Sequence, residues 1–361
     1  MIGRLPVDRN VKHASPIPTL VDPGIYGPEH GFRPDTKVQR FIVNFAFNAG
    51  GMGDYINYSG ATTWLARNAP YIQGRLMVAN YLVPLMQEIH KPYPEWQVFP
   101  GENAGQYMEP NCPLVGPEIQ LEGRNVNPQL LNAVGAHIFD LGFAYYGSRC
   151  PAPPDAMLPM LDFPDSRLLP KVKRLQKKYV VVCTSSMVPS RWVSGKHLNP
   201  LIEHIKYLGL TPVFLGKKDV CSNGSLLSYN AEDISFHLGL DMREQTSVVD
   251  AAIIMQHAVA TIGLDCGLLH LAAIMKDSNV IFAYNILRPE KRRPRRNWGK
   301  TIDVFLTDEE LACSACQDKW PQFLTHTFHK CKYQDNLCID LLFGNGAEKF
   351  RHALKEIMSN L

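Results

Sequence analysis

The sequence predicts an α/β chain of two doubly wound, parallel-sheet domains. Three observations carry that expectation. At 361 residues the chain is long enough for about two domains at roughly 150 residues each. Short apolar runs alternate with helix-like stretches in both halves. A proline-rich stretch, residues 151–170, separates the two series and reads as a linker. Composition agrees: 45% hydrophobic and 20% charged residues with a mean hydropathy of −0.14 lie in the ordinary globular range and exclude disordered, fibrous and membrane-spanning classes. No apolar run reaches spanning length, and residues 1–40 show no secretory pattern, so a cytoplasmic location is expected.

Taken in order, residues 1–37 are rich in Pro and Gly without apolar period and read as an extended arm. Residues 38–150 form the first expected domain. Phe41 to Phe47 is a buried-strand run, Asn48 to Asp54 a glycine-rich turn, and a helix follows through Ala69. Arg75 to Ala79 and Trp96 to Phe99 are further strands around a helix at Leu82 to Ile89, and residues 100–135 read as irregular loops. The second expected domain, 171–345, opens with Tyr179 to Cys183, a polar loop Thr184 to Lys196, a helix from Asn199 to Leu208 and a strand from Thr211 to Gly216. It continues with a helix at Ser247 to His257, a strand at Ala258 to Gly263, a helix at Gly267 to Met275 and a strand at Val280 to Tyr284; residues 346–361 form a C-terminal helix.

The sharpest motif is Gly263-Leu264-Asp265-Cys266-Gly267-Leu268-Leu269-His270-Leu271-Ala272-Ala273. A strand, tight turn and helix start present unpaired backbone N–H groups and a positive dipole end, which suits a diphosphate. The competing reading is local: Asp265 caps the helix and His270 is a satisfied core histidine. Gly51-Met52-Gly53-Asp54 is the second motif. A carboxylate there can take a proton from an acceptor hydroxyl, or can simply cap the helix that follows.

From Leu238-Gly239-Leu240-Asp241 through Thr246-Ser247 to the Asp265–Ala273 motif and the strand at Val280, the order resembles the donor domain of the ADP-heptose lipopolysaccharide heptosyltransferases, glycosyltransferase family 9. There an L-x-G-x-T-S-L helix precedes a strand and a D-S/T-G-x-x-H-L-A-A turn. The resemblance is densest over residues 238–284 and absent from 1–37 and much of 100–135. It implies the GT-B architecture, two Rossmann-like domains facing across a cleft, and an inverting, metal-independent transfer from a nucleotide-diphosphate sugar with no cofactor. It implies Asp54 as catalytic base within a Gly51 to Asp54 turn that includes Gly53. It assigns the donor to Thr184, Ser185, Ser186, Arg191 or Lys196, Asp265, Cys266, Gly267, Leu268 and His270. Cys266 stands where the family has a hydroxyl. The implied acceptor is a lipopolysaccharide core or other glycan, free or lipid-linked.

Charge keeps two alternatives open. The net charge is +3, and Arg288 to Lys300 holds seven basic residues and one acid, a run able to attract nucleic acid. A transferase acting on a hydroxylated DNA base is therefore one alternative, although the first 165 residues carry 11 basic against 15 acidic side chains. A non-catalytic nucleotide-binding module is the other. Nine cysteines, an odd number, fit reduced thiols. Cys313, Cys316, Cys331 and Cys338 have the spacing C-x2-C-x14-C-x6-C, which could close a zinc site; the preferred reading is a structural tail without metal.

Overall fold

In the computed structural model the chain divides into two compact units, Met1–Pro159 and Met160–Leu361. The structure describes residues 41–46, 51–70, 72–107, 114–115, 137, 139–140, 142, 152–184, 186, 191–218, 233–316 and 337–359. The expected arm at 1–37, Ser185, Cys331 and most of 116–150 lie outside the described residues.

The first unit is a parallel sheet of order β3-β2-β1-β4, with β1 Phe41–Ala46, β2 Ile72–Val78, β3 Trp96–Pro100 and β4 Leu114–Val115. Helix α1, Met52–Asn68, follows β1, and α2, Val83–His90, precedes β3. Helix α1 is buried on nearly every side despite many polar residues. Its short hydroxyl and amide side chains turn back onto their own helix: Asn57 Nδ2 donates to Gly53 O (2.7 Å), Ser59 Oγ to Ile56 O (2.7 Å) and Thr63 Oγ1 to Ser59 O (2.8 Å). Those bonds offset the cost of burying polar groups. Small residues let rings approach: a Cβ on Gly60 would collide with Phe139, and one on Gly74 with Trp96. His90 is fully buried between α2 and α1, its Nδ1 against Met86 O (2.9 Å) and its Nε2 against Thr62 Oγ1 (3.0 Å). Burial pulls its pKa down to about 4, so it is a neutral imidazole at physiological pH.

The second unit is a six-stranded parallel sheet of order β10-β9-β8-β5-β6-β7. Its strands are β5 Tyr179–Cys183, β6 Thr211–Leu215, β7 Leu240–Asp241, β8 Ala260–Leu264, β9 Val280–Ala283 and β10 Thr301–Val304. Renumbered within the unit this is the 3-2-1-4-5-6 order of a Rossmann sheet, with the direction of winding reversing between β5 and β8. Strands β5, β8 and β9 are buried at every position, as expected of a sheet covered on both faces. Helices α3, Gly195–Tyr207, and α6, Gly344–Met358, pack on each other; α4, Val248–Gln256, packs on α5, Gly267–Ala273. Val180, Val182, Leu201, Ile205, Phe350 and Leu354 share one core. The C-terminal helix thus belongs to this unit's core, and it contains a left-handed stretch at Asn345, Gly346 and Ala347.

Three details differ from the sequence expectations. Helix α3 starts at Gly195 rather than Asn199, because Ser194 and His197 form the start: Ser194 N donates to His197 Nδ1 (3.1 Å), and His197 Nε2 meets Asp340 (2.7 Å). Pro200 lies inside the helix. The proline-rich stretch is not wholly a linker. Leu161 pairs with Met275, donating to Ile274 O (2.7 Å) and accepting from Lys276 N (2.8 Å). Residues 101–107 form short helical turns rather than irregular loop.

Candidate active site

The two sequence motifs occupy equivalent places in their own sheets. In an open parallel sheet, ligands collect outside the carboxyl ends of the strands, where the order of winding reverses. In the first unit that point lies between β1 and β4, and the Gly51–Asp54 turn follows β1 directly. In the second it lies between β5 and β8, which lead into Thr184 and Asp265.

Asp54 is the third residue of α1. Its Oδ2 accepts from Gly51 N (2.7 Å), and its own N–H donates to Gly51 O (2.9 Å), so the capping role is realised. The site around it remains partly open. Gly51 is extended, with φ −90°, and an added Cβ there would meet nothing within 4 Å. Gly53 is buried. Two tyrosines that the motif did not disclose gather around the carboxylate. The surrounding protein and the Asp54 charge raise the pKa of Tyr81, a residue that is nonetheless 56% exposed. Burial, with Tyr81 and then Asp54 beside it, pushes Tyr55 up to about 12.

Asp265 has the opposite surroundings. It is 4% exposed, directly after β8. Arg191 grips it twice, Nη2 to Oδ2 at 3.0 Å and Nη1 to the backbone oxygen at 2.8 Å, while His270 Nε2 lies 3.2 Å from Oδ1. Burial alone would raise the carboxyl, but Arg191, the His270 hydrogen bond and Arg292 outweigh it and hold it well below the usual carboxylate range. His270 packs edge-on against Phe282 (5.1 Å between centroids). Both members of the motif are therefore inward-facing, and what Asp265 fixes is a guanidinium. Thr184 and Ser186 are buried nearby; with Cys183, Arg191, Gly263 and Leu264 they line a small cavity at the ends of β5 and β8. Among the described residues, Thr184 Oγ1 has no hydrogen-bond partner.

Cys266 precedes α5, and Gly267 and Leu268 form its first, half-exposed turn. Cys183, at the end of β5, and Cys266 perturb one another's titration, which pushes the Cys183 thiol well up and that of Cys266 down. That relation, which the sequence motifs did not reveal, joins residues 83 positions apart, one ending β5 and the other just beyond the end of β8.

The remaining cations divide. Lys196 is not brought to Asp265: its Nζ lies 2.7 Å from Asp340, with the side chain 66% exposed. The basic run is largely committed within the chain. Arg288 is bidentate to Asp308 (2.9 and 2.8 Å), Arg293 meets Asp303 (3.3 Å) and Lys300 meets Glu356 (2.8 Å). Arg296 donates to Thr301 Oγ1 (3.0 Å), Ser278 Oγ (2.9 Å) and Lys300 O (2.7 Å), and burial lowers its pKa to about 10. A run read from composition as a free polyanion surface is thus mostly scaffold, and Arg292 turns its charge toward Asp265.

In the tail, Asn285 links the Cys313–Cys316 turn to Cys338. Its carbonyl accepts from Ala315 N (3.1 Å), and its amide donates to Cys338 Sγ (3.6 Å). Among the described residues no three His, Cys, Asp or Glu side chains are arranged to hold a metal ion. Among them, too, no helix is long and apolar enough to cross a membrane.

Solved structures share this fold. TibC, a bacterial iron-containing dodecameric glycosyltransferase from enterotoxigenic E. coli H10407, superposes with a TM-score of 0.64 at 16% identity, over 89% of this chain and 77% of TibC. A glycosyltransferase of family 9 from Veillonella parvula DSM 2008 gives 0.57 at 11% identity, over 91% and 99%. E. coli ADP-heptose LPS heptosyltransferase II gives 0.56 at 12% identity, over 88% and 99%. The fold is that of the GT-B heptosyltransferases. The chain matches no protein-family model and no curated protein sequence.

Proposed function

We propose that this chain is a nucleotide-sugar-dependent glycosyltransferase. The observation that carries the reading is the placement of both motifs at the switch points of their own parallel sheets, on the fold of the heptosyltransferases. TibC has been solved with ADP-D-β-D-heptose, so an ADP-sugar is the first donor to try.

The donor is assigned to the second unit. Arg191, oriented by Asp265, and Arg292 set a positive field at the ends of β5 and β8, and Gly267 and Leu268 offer backbone N–H groups at the start of α5. Thr184 Oγ1 and Ser186 add hydroxyls at the same strand end. Together these groups offset charge building on a departing nucleoside diphosphate. Asp265 and His270 act at one remove, by holding Arg191 and the turn. Ser185 belongs to the same loop by sequence, whereas Lys196 is left out of the set.

The acceptor is assigned to the first unit, with Asp54 as general base. An acceptor hydroxyl gives its proton to the Asp54 carboxylate as its oxygen forms the bond to the anomeric carbon, and the bond to the diphosphate oxygen breaks on the opposite face, inverting that centre. Asp54 would exchange the Gly51 contact for the acceptor, and the exposed Tyr81 ring offers a sugar an apolar face. A lipopolysaccharide core or related glycan is the acceptor class we favour. TibC contains iron, but the described cysteines here do not by themselves assemble a metal-binding set, and no step is routed through one.

A thermal-shift panel of nucleoside diphosphates and nucleotide sugars tests the reading. One of them at about 100 times its dissociation constant should add roughly 2.7 kcal/mol of stability, and its sugar form should release nucleoside diphosphate on incubation with glycan acceptors. A panel without a shift and without release from any nucleotide sugar would remove the proposal.

A further inference from the structure

Arg191 is held at two ends, and Asp265 accounts for one of them. The guanidinium is fixed by Asp265, Nη2 to Oδ2 at 3.0 Å and Nη1 to the backbone oxygen at 2.8 Å. The backbone lies in a short segment, residues 191–194, that leads straight into α3. Within it, Trp192 Nε1 donates to Ser186 O (2.7 Å), and Val193 is buried in the core that holds Val182, Leu198 and Leu201. Ser194, the last residue before the helix, donates its N–H to His197 Nδ1 (3.1 Å), and its hydroxyl lies 3.1 Å from the same nitrogen.

A backbone N–H can only give a hydrogen bond, so Nδ1 carries the lone pair and the ring proton sits on Nε2. That Nε2–H meets Asp340 Oδ1 (2.7 Å) in the short helix Leu337–Leu342, 143 positions along the chain. Asp340 thereby selects the tautomer that Ser194 requires. His197 is 8% exposed and packs against the Phe343 ring (5.7 Å between centroids), which restricts its rotation. The charged groups around it are Asp340, Lys196 and Asp233: Lys196 Nζ shares the same Asp340 oxygen (2.7 Å), and Asp233 accepts from Gly195 N (2.8 Å). Of these three, Asp340 is the one that bonds the imidazole. Serine, histidine and aspartate in this order also describe a nucleophilic triad. Here, however, the single lone pair of Nδ1 is engaged by a backbone N–H, which leaves no free base for the hydroxyl.

We propose that His197 and Asp340 are positioning residues for the donor site: through Ser194 they fix the backbone from which Arg191 reaches Asp265 and the ends of β5 and β8. The inference rests on the assignment of the donor to Arg191 in the transferase reading. Without the imidazole, Ser194 N–H loses its acceptor, the segment before α3 loosens, and Arg191 leaves Asp265 more often. Without Asp340 the ring can change tautomer or turn, a milder form of the same effect. A helix near the C-terminus thus acts on donor affinity without touching the donor.

The test uses the full-length chain and two readouts. In the free protein, the indole N–H resonance of Trp192, assigned with Trp192→Phe, reports the segment directly. His197→Ala should shift it and speed its hydrogen exchange about tenfold. In calorimetric titration with ADP, His197→Ala should weaken binding roughly five- to tenfold. His197→Gln, whose amide can accept from Ser194 N and donate to Asp340, should recover most of that loss. Asp340→Ala should weaken binding roughly threefold, which keeps the test valid if His197→Ala folds poorly. Arg191→Gln should already bind ADP weakly, and adding His197→Ala to it should cost less than about twofold more, because the residue being positioned is gone. Two results would overturn the proposal: an unchanged indole signal and unchanged ADP affinity in a folded His197→Ala protein, or the same added loss with and without Arg191. A wild-type protein that binds no nucleotide would remove the transferase reading instead, and the Trp192 signal would still decide whether His197 holds the segment.

Discussion

The β1–α1 turn of the first unit and the β8–α5 turn of the second are built alike, a parallel strand entering a helix through a glycine-containing turn with one aspartate. Their aspartates differ in what surrounds them. Asp54 caps its own helix through Gly51 and stands beside an exposed tyrosine. Asp265 is enclosed by Arg191 and His270 and is stabilised as an anion. A carboxylate that accepts a backbone N–H can exchange that bond for one to a substrate hydroxyl; one fixed by a buried guanidinium cannot without leaving that cation exposed to low dielectric. On the proposed function, the same local motif would serve chemistry in one unit and scaffolding in the other.

Variants of the two aspartates should separate along that line. Asp54→Asn retains an acceptor oxygen for Gly51 N but loses the base, so transfer should fall roughly a hundredfold to ten-thousandfold with little change in melting temperature. Asp265→Asn should do the reverse. It leaves Arg191 without its counter-charge, and breaking a buried pair costs about 3–5 kcal/mol, read by denaturant unfolding of the second unit. Equal effects of the two variants on stability would break the comparison.

Acid should also distinguish the units. His90 has its folded pKa depressed from 6.5 to about 4, so its contribution is complete above pH 6.5 and is lost as pH falls through about 4, a change of about 3 kcal/mol. Asp265, whose folded pKa is also depressed, keeps contributing until pH drops below the ordinary carboxylate range. Hydrogen exchange from pH 7 to 4 should therefore show α1 and α2 losing protection before β5, β8 and β9. His90→Gln should flatten that pH dependence in the first unit.

The smallest expected effect belongs to Lys196. Its ion pair with Asp340 is exposed, and such pairs contribute about 0–1 kcal/mol. Lys196→Ala should change nucleotide affinity less than twofold by calorimetry, an order-of-magnitude bound for a cation outside the site. A large loss would return Lys196 to the donor set.

Much of the frame was legible because its signals are local. Tyr179 to Cys183 reads as a buried strand from its valines, Ser247 and Asp250 announce α4 as a reciprocal cap, and the glycines mark both candidate turns. Short edge strands such as Leu240–Asp241 and Thr301–Val304 carry too few residues for a period to show. The start of helix α3 was expected four residues late because the true start uses a histidine where an acid is the usual signal. Most of the candidate site's logic is long-range: Arg191 reaches Asp265 across 74 positions, and Arg296 disappears into Ser278 and Thr301. Composition registers those arginines as charge, and only topology shows which of them face a ligand site.

The most direct test of the division of labour is calorimetric titration of ADP into wild type, Asp54→Asn and Gly267→Ala. Gly267 is not among the positive-φ glycines, so alanine should be tolerated there with a stability change within about 1 kcal/mol. The added Cβ should weaken ADP binding about tenfold, or 1.4 kcal/mol, while Asp54→Asn binds as wild type does. Unchanged affinity in a folded Gly267→Ala protein, together with lost affinity in Asp54→Asn, would place the nucleotide in the first unit and contradict the account.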